Sequence, residues 1–380
     1  MSNLEGKRKP RVAILTGGKS GEHEVSLQSA KSVIAALDRD KYDVVVVGVT
    51  KQGRWIAADD ALALLESGAA LDDAMLGSPS GAESSTAILP SDRRELVPGT
   101  SEHPFPRADV VFPVMHGTYG EDGTVQGLLE LAGLPYVGAG VLGSALGLDK
   151  VTQKNVLEAN GVPVVPYHVV LRSRWRAERE AVLTEVLAHL ALPLFVKPSN
   201  GGSSVGCSKA HTVAELAAGL DLAARFDRKL LVETAVNARE IECSVLGNDE
   251  PIASVPGEVE PGNEFYDYHA KYLDDNSILH IPADLPAEVT QRVQALAIQA
   301  FLAIDCAGMA RVDFFLDRDT GTLYLNELNT IPGFTRISMY PKLWEASGLP
   351  YPQLLDRLIE LALERHRDRL DSETAYGYDH

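Results

Sequence analysis

Over the first third of the chain, apolar residues fall in short continuous runs separated by stretches of helical spacing. Arg11–Leu15 (RVAIL) is such a run and ends in Thr16-Gly17-Gly18. Ser26–Leu37 carries the three-and-four spacing of a helix with one buried face. Tyr42–Val49 (YDVVVVGV) and Asp109–Met115 (DVVFPVM) are further continuous runs. Runs apolar on both faces, alternating with helices, predict parallel strands covered on both sides. Residues 1–140 are therefore expected to form an open βαβ-type sheet. Between Ile56 and Arg107 the pattern dissolves into Ala, Ser, Gly, Pro and scattered charge. That predicts a peripheral, partly helical excursion.

Further along, Asp149–Asn160 predicts a helix stopped by Gly161 and Pro163. Pro193–Lys197 predicts a strand that leaves through a Gly/Ser loop. Lys229–Glu233 and Ile241–Leu246 predict strands, and Pro286–Ile304 a long amphipathic helix. Met309–Leu316 and Thr322–Asn329 predict a hairpin across Asp317–Gly321. Leu354–Leu363 predicts a closing helix, and the polar tail from His366 is expected to fray. No internal repeat is visible.

Composition narrows the class. The chain has 380 residues, 45% hydrophobic and 23% charged, enough for two or three domains with real cores. The net charge of -18 repels a phosphate backbone, so nucleic acid is not an expected partner. Any phosphate ligand must be met by a local cluster of Lys, Arg and metal. Cys207, Cys243 and Cys306 lie far apart without a CxxC pair, so they predict neither a zinc site nor a disulfide framework. They are expected to be small buried hydrophobes in a reducing cytosol. The opening MSNLEGKRKP lacks the apolar core of a signal peptide. The apolar stretch Ala181–Val196 carries Thr184, Glu185 and His189 and is broken by Pro193, so no membrane span is expected. The expected location is the cytoplasm.

Two glycine motifs invite nucleotide readings. Gly138-Ala-Gly-Val-Leu-Gly143 matches the dinucleotide fingerprint, with Glu158 near the offset of a ribose-binding acid. No Val/Ile-rich strand ends in an acid about 20 residues on, as that fingerprint needs. Gly17-Gly18-Lys19-Ser20 resembles the end of a phosphate-binding P-loop, but Ala13 stands where the first glycine belongs. A glycine-rich first βα turn still exposes helix N-terminal N–H groups to a ligand.

The chemistry concentrates elsewhere. On the predicted hairpin, alternation puts Val312 and Phe314 on one face and Arg311 and Asp313 on the other. Leu323, Leu325, Glu327 and Asn329 share a face of the return strand. With the turn near Thr320, Arg311 is expected opposite Glu327, and Asp313 diagonal to Glu327. Two carboxylates and an amide oxygen suit Mg²⁺ bridged to phosphates. A solvated hairpin with an Arg311–Glu327 salt bridge is the alternative. Val196-Lys-Pro-Ser-Asn-Gly-Gly-Ser-Ser-Val-Gly206 is a strand, a lysine and a Gly/Ser loop whose N–H groups and hydroxyls can wrap phosphates. A plain linker is the alternative there.

Lys150 in DK, KPSNGGSSVG, the strand ending in Glu233, REIECSVLG, RVDFF and LNELNTIPGFT occur in the order found in ATP-grasp ligases. With GGKSGEHEVSLQSA and HGTYGEDGTVQG, the chain resembles the D-alanine–D-alanine ligase family from Arg11 to about Arg357. The resemblance implies an α/β (α+β) ATP-grasp fold in three domains. An N-terminal open parallel α/β sheet binds substrate (1–140), a small β-rich lid covers ATP (141–233), and a C-terminal α+β domain carries an antiparallel sheet (234–380). It turns GAGVLG into the link between the first two domains.

The reaction implied uses ATP and two Mg²⁺ or Mn²⁺ to join two D-alanines through a D-alanyl phosphate for peptidoglycan synthesis, in a homodimer. A D-alanine–D-lactate or D-alanine–D-serine ligase is the rival. By resemblance, Lys150 and Lys197 contact the ATP phosphates and the Ser203/Ser204 loop closes over them. Glu233 and the backbone of Thr234, Ala235 and Val236 bind the adenine edge, Glu240 the ribose, and Asn326 belongs to the ATP set. Phe315 lines the adenine slot, with plain core packing as its alternative. Asp313 and Glu327 hold one metal, and Glu327 and Asn329 a second. Arg311 and the Gly333 N–H stabilise the tetrahedral oxyanion.

Glu22 binds the first ammonium; without the family, a first-turn carboxylate favoured by the helix dipole would explain it. Glu22, Ser203 and Tyr272 form a hydrogen-bond network near the second amine. His116 sits near the first substrate, Lys271 contacts the transferring phosphate, and Ser338 with Met339 binds the second carboxylate. Tyr272, in FYDYHAKY, marks the dipeptide-forming version of its loop. Thr234-Ala235 and Met339 depart from the residues common at those positions, which touches the adenine and second-substrate pockets.

Overall fold

The computed structural model describes residues 8–56, 61–67, 107–260 and 278–373. The first sheet runs β3-β2-β1-β4, from β1 (Arg11–Gly17), β2 (Asp43–Val49), β3 (Trp55–Ile56) and β4 (Val110–Pro113). β1 pairs parallel with β2 and β4, and β3 is an antiparallel edge. Successive residues of β1 serve opposite faces. Val12 and Ile14 pack with α1 (His23–Ala36) and with α11 (Tyr351–Leu370). Ala13 and Leu15 pack with α3 (Thr124–Leu131) on the other face. This two-sided burial is why the runs read as continuously apolar.

α11 departs from expectation. It remains helical to Leu370, past His366 where fraying was predicted. Arg365 donates to the carbonyl oxygens of Gly138 and Tyr136, and its guanidinium lies over the Tyr136 ring. Tertiary contact thus holds a polar stretch that local pattern leaves free. Of the span 56–107, only Ile56, α2 (Ala61–Ser67) and Arg107 are among the described residues.

The second sheet is antiparallel, β5-β8-β6-β7, from β5 (Tyr167–Leu171), β6 (Leu194–Pro198), β7 (Ser208–Ala210) and β8 (Lys229–Thr234). α7 (Arg179–His189) and α8 (Val213–Ala223) cover one face through Val186, Leu216 and Leu220. The segment Ala181–Val196 is thus a surface helix followed by a strand. Among the described residues no helix is long and apolar enough to cross a membrane.

The third sheet is built on β9 (Ala238–Gly247), β11 (Gly257–Glu260), β12 (Ile278–His280), β13 (Gly308–Asp317) and β14 (Leu323–Asn329), with β10 (Ile252–Ala253) beside β9. α9 (Ala287–Ala303) buries Val293, Ala297 and Phe301 against Ile241, Cys243, Val312 and Phe314. The opposite face of the same strands, Glu240, Glu242, Arg311, Asp313 and Phe315, looks into a cavity.

The hairpin register differs from the expected one. Arg311 lies opposite Asn329, and Asp313 lies directly opposite Glu327. The register then slips so that Phe314 meets Leu325, leaving Asn326 as an extra residue in β14. This bulge switches the alternation: Leu325 and Leu328 are both buried, while Glu327 and Asn329 are on the cavity side. Glu327 and Asn329 therefore do not share the face of Leu323 and Leu325.

The GAGVLG turn leads into α4 (Val141–Leu148), which stacks on the approach to β13. A Cβ at Gly143 would stand 2.6 Å from the Asp305 carbonyl oxygen, so that glycine answers to packing.

Candidate active site

A cavity of about 860 Å³ lies where the three sheets meet. Its walls are the first βα turn, the Gly/Ser loop, the hairpin face and the loop from Thr330 to Ser338. Fourteen of the predicted residues line it. From the first domain come Glu22 and His116. Lys150, Ser203 and Glu240 follow, then Arg311, Asp313, Phe315, Asn326, Glu327 and Asn329, and finally Gly333, Ser338 and Met339.

Glu22 is the N-cap residue of α1, but its side chain makes no capping bond. It accepts a hydrogen bond from the Ser203 hydroxyl, 181 residues away in sequence. A dipole-stabilised surface acid would not be 8% exposed and pointed across a cavity, so the plain helix-dipole explanation loses ground. Ser203 and its neighbour Ser204 both have positive φ, 48° and 57°. Two consecutive non-glycine residues in the left-handed region cost of order 1–3 kcal/mol each, strain of the kind that clusters at ligand-holding loops.

Lys150 starts α5 (Lys150–Ala159), where Asp149 caps the helix by accepting from Thr152 N–H at 3.0 Å. Asp149 also accepts from Ser199 Oγ at 2.8 Å and from Lys229. Burial opposes its charge, yet these donors hold its carboxyl down at about 2. The helix start, the Gly/Ser loop and β8 are thereby tied at one acid. Lys150 Nζ then reaches both the Gly201 carbonyl oxygen (2.8 Å) and Glu327 (3.4 Å), so it bridges loop and hairpin.

On the hairpin face, Arg311 makes a two-pronged pair with Asp313 at 2.7 and 2.6 Å. It also lies 2.9 Å from Glu242. Arg311 therefore pairs with Asp313 and Glu242, where the alternative reading had paired it with Glu327, because the bulge sets Glu327 opposite Asp313. Burial alone would weaken the guanidinium's proton, but Asp313 and Glu242 hold it well above its ordinary range. Asn329 Nδ2 donates to Asp313 at 3.0 Å. Among the described residues no cluster of three or more His, Cys, Asp or Glu is arranged to hold a metal. Asp313, Glu327 and Asn329 offer hard oxygen donors that suit Mg²⁺ when phosphate oxygens complete the shell.

His116 is buried; its Nδ1–H donates to the Ile331 carbonyl oxygen at 3.0 Å. Ser29 Oγ donates to its Nε2 at 3.1 Å. Burial pushes its proton affinity down, against the charge of Glu22, and so favours a neutral ring. Gly333 stands where a Cβ would come within 2.8 Å of Ser338 Oγ. That close approach fits the role of its backbone in the loop. Ser338 in turn bonds Thr335 Oγ1 at 2.7 Å and accepts from Thr335 N–H at 3.1 Å. Phe315 stands at the cavity wall, while its neighbour Phe314 is the core residue, 1% exposed. The plain core reading of Phe315 therefore passes to Phe314.

Six predicted residues stand back from the cavity wall. Lys197 and Glu233 form an ion pair of 2.6 Å behind it, and Glu233 is 2% exposed. Ser204 sits in the loop but not on the wall. Thr234 and Ala235 spend their N–H groups on the Pro166 and Pro193 carbonyl oxygens at 3.0 Å each. Neither N–H is thus left for the adenine edge that was expected to meet this segment's backbone. Val236 is not on the wall either. Lys271 and Tyr272 lie outside the described residues.

Three residues escaped the sequence reading. Glu121 accepts from the Gly117 N–H (2.7 Å) and the Ile331 N–H (3.0 Å), clamping two walls together. Burial, followed by the charge of Glu22, pushes its carboxyl up to about 8. Glu242 shares the strand face of Glu240, a signal visible in REIEC by alternation. Lys154 pairs with Glu233 at 2.7 Å and is 1% exposed. Its spacing of four from Lys150 was the available sign.

Comparison with known proteins gives the family. A family model described as D-ala D-ala ligase N-terminus matches residues 11–139, and one described as D-ala D-ala ligase C-terminus matches residues 156–360. The chain belongs to the D-alanine–D-alanine ligase family. The D-alanine–D-alanine ligase of a Thermoanaerobacter species is 53% identical over 362 residues, covering 95% of this chain and 98% of that one. The solved D-alanine–D-alanine ligase of Coxiella burnetii superposes with a TM-score of 0.80 at 42% identity, covering 96% and 97% of the two chains. The VanG D-Ala:D-Ser ligase of Enterococcus faecalis superposes at 0.78 with 36% identity, covering 93% and 100%. In D-alanine–D-alanine ligases the ATP-grasp architecture is shared, and this chain has it.

Proposed function

We propose that the chain is an ATP-dependent D-alanine–D-alanine ligase. The carboxylate of the first D-alanine attacks the γ-phosphorus of ATP, so a C–O–P linkage forms and ADP leaves. The amine of the second D-alanine attacks the acyl carbon, loses a proton, and inorganic phosphate leaves. The observation that carries this is the opposition, across one cavity, of the Arg311–Asp313–Glu327 face and the Lys150–Ser203 loop. ATP is required because a free carboxylate is a poor acyl donor.

In this reading Glu22 receives the first ammonium, and neutral His116 helps wall the first substrate. Arg311 and the Gly333 N–H face the oxygen that gains charge on the acyl carbon. Ser338 and Met339 receive the second carboxylate. Lys150, with Lys197 behind it, meets the phosphates, and the Ser203/Ser204 loop keeps water from the acyl phosphate. Asp313, Glu327 and Asn329 would hold two Mg²⁺ or Mn²⁺, which neutralise the charge of the moving phosphoryl group. Glu233, Val236, Glu240, Phe315 and Asn326 form the proposed nucleoside side. Lys271 and Tyr272 keep their roles at the transferring phosphate and the second amine by family resemblance.

The division at 1–140, 141–233 and 234–380 belongs to the same proposal, with α11 packed on the first sheet. So do the homodimer and a cytoplasmic role in peptidoglycan precursor supply. Phosphate release from ATP with D-alanine alone, compared with D-alanine plus D-lactate, D-serine or L-alanine, tests the substrate. Release only with D-lactate or D-serine as second substrate overturns the dipeptide assignment in favour of its rival.

A further inference from the structure

Glu233 is a fully buried carboxylate flanked by two ammonium groups. Lys154 Nζ stands 2.7 Å from its Oε1, and Lys197 Nζ stands 2.6 Å from its Oε2. Lys154 itself is 1% exposed. It enters from α5, one turn after Lys150, and its ammonium sits 5.8 Å from the centre of the Tyr167 ring. Tyr167 and Phe195 flank Glu233 in one row across β5, β8 and β6. If the trio served packing alone, apolar side chains in place of all three charged groups would fill the space at no loss of stability. A buried lysine is instead costly: burial pushes the Lys154 ammonium's proton affinity down, and the Glu233 carboxylate at 2.7 Å opposes that loss.

The charge arithmetic of the trio gives the reason. One carboxylate against two ammoniums leaves one net positive charge. With Lys197 alone, Glu233 would cancel it. We propose that Lys154 is a positioning residue of the nucleotide site, neutralising Glu233 so that Lys197 keeps positive charge for the triphosphate and Glu233 stays fixed toward the purine amino group. This rests on the ATP-site reading above and goes beyond it, because Lys154 touches no substrate.

The test compares the parent, Lys154→Met, Lys154→Arg and Glu233→Gln by phosphate release, varying ATP, ITP and D-alanine in turn. ITP has an oxo group where ATP has the 6-amino group. Lys154→Met is expected to raise KM for ATP by roughly tenfold or more, the scale of one charged hydrogen bond, because Glu233 then cancels the charge of Lys197. Its KM for D-alanine stays near the parent's, and the preference for ATP over ITP falls. Lys154→Arg retains that preference. Should Lys154→Met not accumulate as folded protein, Lys154→Gln, which keeps a donor without the charge, carries the same comparison.

The inference is overturned if the neutral variant leaves KM for ATP unchanged while Glu233→Gln raises it. Equal shifts in KM for ATP and D-alanine, as general damage would cause, also overturn it. A parent that takes ATP and ITP equally, with KM for ATP unmoved in Glu233→Gln, sinks the purine-site reading itself and the inference with it.

Discussion

Asp313 of β13 stands directly opposite Glu327 of β14 on one side and Glu242 of β9 on the other. Three carboxylates thus form a row across the strands, with Arg311 paired to two of them and Lys150 to the third. Those two cations offset the mutual repulsion of the row. Replacing Glu327 by Gln is expected to lower kcat by about 10²–10³-fold, the scale of losing one electrostatic group at a developing charge. Its Mg²⁺ titration should shift to higher concentration. Stripping divalent cations with a chelator should stop phosphate release in the parent; release that persisted would rule out a metal role for this hairpin.

The Ser203 to Glu22 hydrogen bond links the phosphate loop to the first-substrate turn. Ser203→Ala removes it and leaves Glu22 short of a donor. Stability should change by only about 1 kcal/mol, since this is one hydrogen bond. KM for D-alanine should rise, because loop and acid no longer hold each other. Unchanged steady-state constants for D-alanine would show that the two elements act independently.

Glu121 gives the protein a pH signature. Its folded-state carboxyl lies at about 8 against an ordinary 4.5. Between those values the folded protein holds a proton that the unfolded chain has released. Stability therefore falls as pH rises from about 5 to about 8. Glu121→Gln should flatten that part of the curve in thermal unfolding at fixed ionic strength. An unchanged slope would place the proton elsewhere.

Asp149 acts in the opposite sense. Its carboxyl is depressed from 3.8 to about 2, so its contribution is present above pH 4 and lost as pH falls through about 2. The stability gap between the parent and Asp149→Asn should close over that window. Half-burial keeps the gap modest. Denaturant unfolding at pH 5, 3 and 2 measures it.

α11 lies at the end of the chain but packs on the first sheet. Leu358 is fully buried beside Val12, Ile14 and Phe112. Leu358→Ala should cost about 2–5 kcal/mol. Hydrogen exchange should then rise in β1 and β4, not only in the C-terminal sheet. Exchange confined to α11 would mean that the helix frays without opening the sheet.

The sequence by itself determined a good deal. Continuous apolar runs announced β1, β2 and β4 because a strand buried on both faces has nowhere to put polar residues. Alternation separated Val312 and Phe314 from Arg311 and Asp313 for the same reason, and segment order carried the family. The facing of Asp313 and Glu327 was decided by the bulge at Asn326, which a two-residue period cannot register. The burial of Lys154 against Glu233, the Glu121 clamp and the docking of α11 were decided by contacts between segments 79, 210 and more than 200 residues apart. Local pattern reports which face of an element is apolar. Which charged groups end up out of water together depends on how the sheets meet, and only the tertiary structure sets that.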